Sequence, residues 1–446
     1  MHLTLLILLT ATSLYSQISG SVVDAETNQP IAGVNITGRN TGTAADNEGR
    51  FSIAVQEGDE LIFSHIGYSI ISTKAFAGMS VKLKAIILRS QEIVVRAGLK
   101  EESHQRSTNS VTVIDAATIK RADGSHFQDV MESIPNFNAA GGTSRPRYFQ
   151  IRGIGERSHY FAEGPPNFSV GFVIDDIDLS GLGMAGLLYD LEQVEVFKGP
   201  QSAIFGPNAL AGLISMRSQE PTNSFNAHVR LTGGSDNIQR FNGMVNVPLG
   251  IAFSLRVALE SGAGNGFREN KFLDLTNSNG RKENIIREKL SFTPNKNFQA
   301  VLTSFRAVLD NKYDAWAPDN NKDLFTYTNQ QGIDSQETNA YSLRTNYSEN
   351  KLNTTFIASR SETDLVHAYD GDWGNDDYWL QEPYNFDPEV TNWKYEFFDS
   401  TARNRINQTL EGRVSYSDVV VGYYTKSLEE RDNASGWLYG GDAALA

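Results

Sequence analysis

From Phe225 onward, apolar and polar side chains alternate in runs of eight to twelve residues: Val229/Leu231, Leu255/Val257/Leu259, Leu290/Phe292, Tyr341/Leu343/Tyr347 and Leu410/Val414/Tyr416. Arg256, Arg344, Asn346, Glu411 and Arg413 fall between the apolar positions. A period of two predicts β-strands with one apolar and one polar face, and roughly nine such strands can be counted. A soluble sandwich and a membrane barrel share this alternation, so the connections have to separate them. Tight turns are predicted at 250–252, 295–297, 349–351 and 417–418, whereas 262–284, 310–338 and 363–402 are long and polar. Long loops on one face and short turns on the other are the pattern of an outer-membrane barrel.

Upstream, the pattern changes twice. Between Ile18 and about Leu88, short alternating runs (Val34-Asn35-Ile36, Phe51-Ser52-Ile53, Leu61-Ile62-Phe63) are separated by turn-forming clusters at 28–30, 46–49 and 57–59, which predicts a small β-sandwich. Between Ser110 and Met216 the texture is α+β. A strand Val111–Ile114 is followed by Asp115 as a helix N-cap, and a second helix from Phe127 to Ile134 should stop at Pro135. The strongest signal is VEVFKGPQSAIFGPNALAGLISM, 194–216, in which two β-prone runs flank Gly-Pro punctuation.

That last string closely resembles the end of the plug domain of TonB-dependent outer-membrane receptors, on Glu195, Val196, Lys198, Gly199, Pro200, Phe205, Gly206, Gly212 and Ile214. Two further plug motifs stand in the family's order, Ile151-Arg152-Gly153 and Val170–Asp176. The string from Gly20 to Phe51 resembles the carboxypeptidase-regulatory-like domain that precedes many such receptors, and with only His65 in reach of a metal it offers no peptidase chemistry. The expected fold is therefore mainly β: a signal peptide at 1–16, a β-sandwich at 17–89, a TonB box and linker at 90–98, an α+β plug at 99–222, and the N-terminal part of an antiparallel transmembrane β-barrel at 223–446. A plug of this size belongs in a barrel of about 22 strands. With roughly nine strands and no aromatic C-terminal residue, the chain is expected to be an N-terminal piece or truncated form.

The resemblance carries expectations residue by residue. The QEIVVRA stretch, 91–97, stands where the TonB box lies, so Glu92, Ile93, Val94 and Val95 would be gripped by TonB, itself driven by an inner-membrane complex. An exposed extended segment suits strand addition to a partner's sheet. The alternative reading is the last strand of the preceding sandwich. Arg152 and Lys198 would lock the plug by pairing with barrel carboxylates. Arg157, His159 and Tyr160, with the turn 181–184, would be apex contacts for a ligand. Lys198-Gly199-Pro200, where glycan importers of the family carry K-D-A, favours a ferric siderophore or similar chelate over cobalamin or glycan. A non-transporting adhesin or barrel remnant is the competing class.

Composition narrows the field. The chain of 446 residues carries a net charge of -14, so an electropositive nucleic-acid footprint is missing. It has no cysteine, hence no disulfide or thiol chemistry. Residues 2–9 are apolar and 13–16 small or polar, like a secretory signal cut at Ser16-Gln17; no later run is long enough for a membrane-spanning helix. The seven histidines are scattered, so no catalytic set, metal site or cofactor is expected. Asp175-Asp176 and the acidic stretch Asp370–Asp377 could ligate calcium; the latter lacks EF-hand spacing, so a solvated acidic loop is its simpler reading. Trp373, Tyr378 and Trp379 could stack on a ligand or pack the loop. The implied location is the outer membrane, with its lipid as a partner.

Overall fold

The structure, a computed structural model, describes residues 17–439 except 26, 40, 85–93, 96–101, 106, 123, 140–141, 158–167, 203–205, 207, 386–395 and 418. The expected signal peptide lies outside the described residues. The chain divides into two units, one ending at Glu92 and one beginning at Ile93.

In the first unit the predicted sandwich forms from two sheets. One orders Arg50–Ala54, Gln17–Asp24 and Met79–Leu83; the other orders Gly42–Ala44, Asn35–Thr37, Glu60–Ser64 and Ile71–Lys74. The inward phase of the alternation supplies the core: Val22, Ile36, Phe51, Leu61, Phe63, Met79 and Leu83 are buried. Phe51 and Phe63 meet edge-on across the two sheets with centroids 5.4 Å apart.

The second unit holds a five-stranded mixed sheet, ordered Val111–Asp115, Leu191–Lys198, Gly212–Ser218, Val170–Ile174 and Ile177–Asp178. The Asp115 carboxylate accepts the Thr118 N–H at 2.8 Å and caps the helix Ala116–Ala122 as the sequence implies. The second helix runs Phe127–Ser133 as a 3-10 turn rather than an α-helix. It is only seven residues long, and the His126/Asp129 capping box and the following Pro135 bound it tightly. Phe127, Phe149 and Phe172 pack ring against ring at the centre of this core.

Around it stands a nine-stranded antiparallel meander from Asn226–Gly234 to Val419–Tyr439. Its turns at 249–252, 296–297, 350–351 and 417–418 are short, and its connections at 265–280, 314–331 and 371–395 are long, as expected. The first hairpin, 235–237, is the exception on the long-loop face. The later strands reach 15 to 21 residues, well beyond the eight to twelve read from alternation. Their added length carries polar residues on both faces, so the ladder continues after the amphipathic signal has ended.

One row of paired residues decides which face is which. Asn246, Arg256, Lys289, Thr303, Ser342, Ser359, Thr409 and Lys426 lie side by side across eight strands, all polar and all on the face turned to the plug. The apolar set, including Leu302, Leu343, Phe356, Leu410 and Tyr423, is exposed on the other face. A soluble sandwich would invert this. The exposed apolar belt also runs obliquely. A paired row that starts at Leu231 and Phe241 ends at Glu337, Asp364 and Arg431, while the apolar residues of the last strands sit nearer the short turns. Strands crossing such a belt are tilted to it, as barrel closure requires.

Candidate functional site

Plug and sheet meet through ion pairs whose partners alternate inward on the strands. Ile174 pairs with Ile177 across a two-residue turn in which Asp175 and Asp176 have φ of 47° and 67°, so their carboxylates leave the sheet edge toward the wall. Asp175 accepts from Ser218 N and Oγ at 2.9 and 2.7 Å, and lies 3.0 Å from Lys289 Nζ and 3.3 Å from Arg287 Nε. Asp176 and Glu220 share Arg344, at 2.8 and 2.5 Å. Asp178 pairs with Lys426 at 2.5 Å, and Asp190 takes a two-toothed contact from Arg256 at 2.8 and 2.5 Å. Arg256, Lys289 and Lys426 all belong to the polar row, and Ser342 of that row donates to the Asp175 carbonyl at 2.8 Å. The calcium reading of Asp175-Asp176 is thereby corrected: cations and N–H donors already hold these carboxylates.

A second set of contacts sits toward the long-loop end. Arg145 forks onto Glu283 at 2.8 and 2.6 Å, and Asn311 Nδ2 donates to the same carboxylate at 3.0 Å. Arg147 pairs with Asp334, which also accepts from Ser144 N at 2.5 Å and meets His367 Nδ1 at 3.2 Å. All four ion-paired side chains are under one tenth exposed. Between the two sets, Ile285, Phe305, Ala307 and Ala340 of the sheet join the plug's apolar core.

The signature residues occupy positions with clear physical demands. A Cβ on Gly212 would stand 2.2 Å from the Phe197 carbonyl oxygen and 2.5 Å from Ile151, so only glycine lets the two strands pair there. Gly199, beside Pro200, and Gly206 have φ of 142° and 76°. Glu195 is buried and accepts from Gln193 Nε2, which also donates to the Val94 carbonyl at 3.1 Å. Val94–Val95 pairs with Glu102–Ser103, and Val95, 1% exposed, packs on Phe197 and Leu213. The described part of the box is thus docked on the plug rather than exposed as the sequence suggested. Glu92 and Ile93 lie outside the described residues.

Arg152 and Lys198 come together in the plug. Arg152 is exposed with φ of 53°, and its guanidinium donates to Ser110 Oγ at 3.3 Å. Partial burial and the Arg152 charge lower the Lys198 pKa. Neither pairs with a carboxylate of the sheet among the described residues. Of the apex candidates, Arg157 is exposed, while His159 and Tyr160 lie outside the described residues. The turn 181–184 is no apex: Leu182 and Met184 are buried, and Gly181 abuts the Phe168 ring. Trp373 stacks on Trp316 at 6.0 Å, and Tyr378 and Trp379, in the same connection as Trp373, pack together.

Residues 103–213 match the TonB-dependent receptor plug domain, and residues 18–95 match the CarboxypepD_reg-like domain. Residues 103–213 are thus a plug domain of the TonB-dependent receptor kind. It is 28% identical over 231 residues to the TonB-dependent receptor SusC of Bacteroides thetaiotaomicron, covering 48% of this chain and 22% of that protein. It is 27% identical over 177 residues to the vitamin B12 transporter BtuB of Vibrio vulnificus, covering 37% and 28%. The siderophore receptor PiuA of Acinetobacter baumannii shares the fold, with a TM-score of 0.61 at 16% identity over 78% of this chain and 50% of that one. The chain spans about half of that structure's length, and the matched part is under a third of each curated relative. The family is one of outer-membrane receptors and transporters.

Proposed function

We propose that this chain acts as a TonB-dependent receptor and takes up a scarce chelate across the outer membrane, driven by TonB acting on Glu92, Ile93, Val94 and Val95. The observation that carries the reading is the contrast in how the two ends of the plug are held. Among the described residues, the Val94–Val95 segment is fixed by one two-residue pairing, one hydrogen bond and one buried valine, whereas the plug body is tied to the wall by several buried ion pairs. A pull on the segment strips it first and loads the plug afterwards.

A ferric siderophore is the cargo favoured by Lys198-Gly199-Pro200, and Arg157 is a fitting contact for an anionic chelate. Likeness to a vitamin B12 transporter and to SusC keeps cobalamin and glycans as the alternatives. Val94→Pro removes an amide donor from the extended segment, so energised uptake of a labelled ferric siderophore is expected to stop while binding at the cell surface persists. Unchanged uptake would place the TonB contact elsewhere.

A further inference from the structure

On the outward face of the nine-stranded sheet, a groove of about 530 Å³ interrupts the apolar belt. Its shape follows from one small side chain. The paired row Leu302, Leu343, Ala358, Leu410 and Thr425 crosses five strands on the face opposite the polar row turned to the plug. Strands two places apart in a sheet stand roughly 10 Å from each other, so a methyl group between Leu343 and Leu410 leaves a furrow wide enough for one hydrocarbon chain. Leu302, Leu343 and Leu410 are all exposed on this face, and Tyr341, 54% exposed, extends the wall above Leu343.

The end of the furrow nearer the long connections is polar. There Tyr341, Arg360, Gln408 and Ser427 stand side by side in the next outward-facing row, and all four line the groove. One row further on, the same face carries Arg306, Asn339, Glu362 and Glu429, so Arg360 marks the margin of the belt. A guanidinium at such a margin can reach the headgroup layer along its apolar stem, and it favours a counter-charge there. Among the described residues its carboxylate partner is Glu362, at 3.5 Å with both side chains about half exposed. Its cationic neighbours are held more closely: Arg306 donates to Asn339 and Glu337 at 3.1 and 2.8 Å, and Arg431 lies 2.5 Å from Glu429. Arg360 is therefore the cation of this margin best placed to take an outside anion. A phosphate matches its planar fork with two parallel hydrogen bonds, while the Gln408 amide and the Ser427 hydroxyl can pair with sugar hydroxyls beside it.

We propose that this groove holds one phosphorylated glycolipid of the outer leaflet, with an acyl chain against Ala358 and a phosphate on Arg360. The headgroup end of the furrow faces the long connections, so the inference rests on reading that end as the cell exterior. The test is native mass spectrometry of the folded protein in detergent micelles, titrated with bisphosphorylated lipid A, with its dephosphorylated form and with phosphatidylglycerol. A single lipid A adduct is expected to persist, several-fold tighter than either comparison lipid. Ala358→Trp fills the furrow and should weaken the adduct at least tenfold, Arg360→Gln should weaken it several-fold, and Arg306→Gln should change it little, with heat-modifiable mobility confirming that each variant is folded. No adduct, unchanged binding in Ala358→Trp or Arg360→Gln, or an equal loss in Arg306→Gln overturns the proposal, as does equally tight binding of either comparison lipid. The uptake reading is scored separately: Val94→Pro should leave the adduct intact, so a failure of the groove and a failure of TonB coupling give different results.

Discussion

Replacing Arg145 with alanine should loosen the plug far more than replacing Arg152. Arg145 forks onto Glu283 with both side chains under one tenth exposed. Its removal leaves the Glu283 carboxylate buried with the Asn311 amide at 3.0 Å as its described neutral donor. Breaking a buried pair from one side costs about 3 to 5 kcal/mol. Because every 1.4 kcal/mol is tenfold, the docked-to-undocked ratio should fall by about two to three and a half powers of ten. Arg152 is exposed and holds only the Ser110 hydroxyl at 3.3 Å, so Arg152→Ala should cost less than about 1 kcal/mol. Limited proteolysis of outer membranes, scored by the rate of cutting within the plug, reads the difference directly. Passive entry of large antibiotics is an independent readout. The charge-swapped double variant Arg145→Glu with Glu283→Arg should recover part of the loss, separating a lost pair from a general fold defect. Equal sensitivity of Arg145→Ala and Arg152→Ala would refute the assignment of the anchoring contacts.

Three further outcomes follow from single contacts. Gly212→Ala should abolish assembly, seen as loss of the heat-modifiable band, because its Cβ would stand 2.2 Å from the Phe197 carbonyl; a normally folded variant would contradict that close approach. Lys198→Gln should leave plug retention unchanged or improve it, since the lowered Lys198 pKa marks a charge that burial and Arg152 disfavour. By the same sign, the wild type should lose that strain as alkaline pH neutralises Lys198, and a proteolysis profile over pH checks both. Gln193→Leu should free the Val94–Val95 segment, raising thiol labelling of a Val94→Cys probe without altering plug retention; unchanged labelling would mean that Val95 burial alone holds it.

Much of the fold was legible because its strands follow simple periodicity. The sandwich core residues sit at the inward phase of runs visible in the sequence, and Asp115 caps its helix as its position before Ala116 implies. The barrel's short turns could be read for the same reason, since each interrupts an alternating run. What failed to show in the sequence depends on tertiary company. Gly181-Leu182-Gly183-Met184 looks like an exposed turn because of its glycines, yet each glycine is there to let a ring approach, Phe168 in one case and Phe149 in the other. Asp175-Asp176 looks like a cation site because the residues that neutralise it, Lys289, Arg287 and Arg344, lie more than a hundred positions away. A usable signal did exist on the barrel side. A charged residue at the inward phase of an otherwise amphipathic strand, as at Arg256, Lys289 or Arg344, points into the lumen and needs a counter-charge there. The plug side of Arg145 and Arg147 carried no such pattern, because that segment is irregular.

The reliance on charge at this contact has its own logic. A plug anchored mainly by apolar area would leave an apolar lumen and an apolar plug surface whenever it shifted, and each would favour collapse onto the other in the wrong arrangement. The row from Asn246 to Lys426 avoids this, since every member is polar and can be hydrated once its partner leaves. Directional pairs such as Arg256 with Asp190 and Lys426 with Asp178 also fix one orientation of the plug, which an apolar surface would not. The apolar residues that do reach the plug, Phe305 and Ala307 among them, lie between the two charged sets. They add contact where the orientation has already been set, so the plug can return to a single seat after it has been displaced.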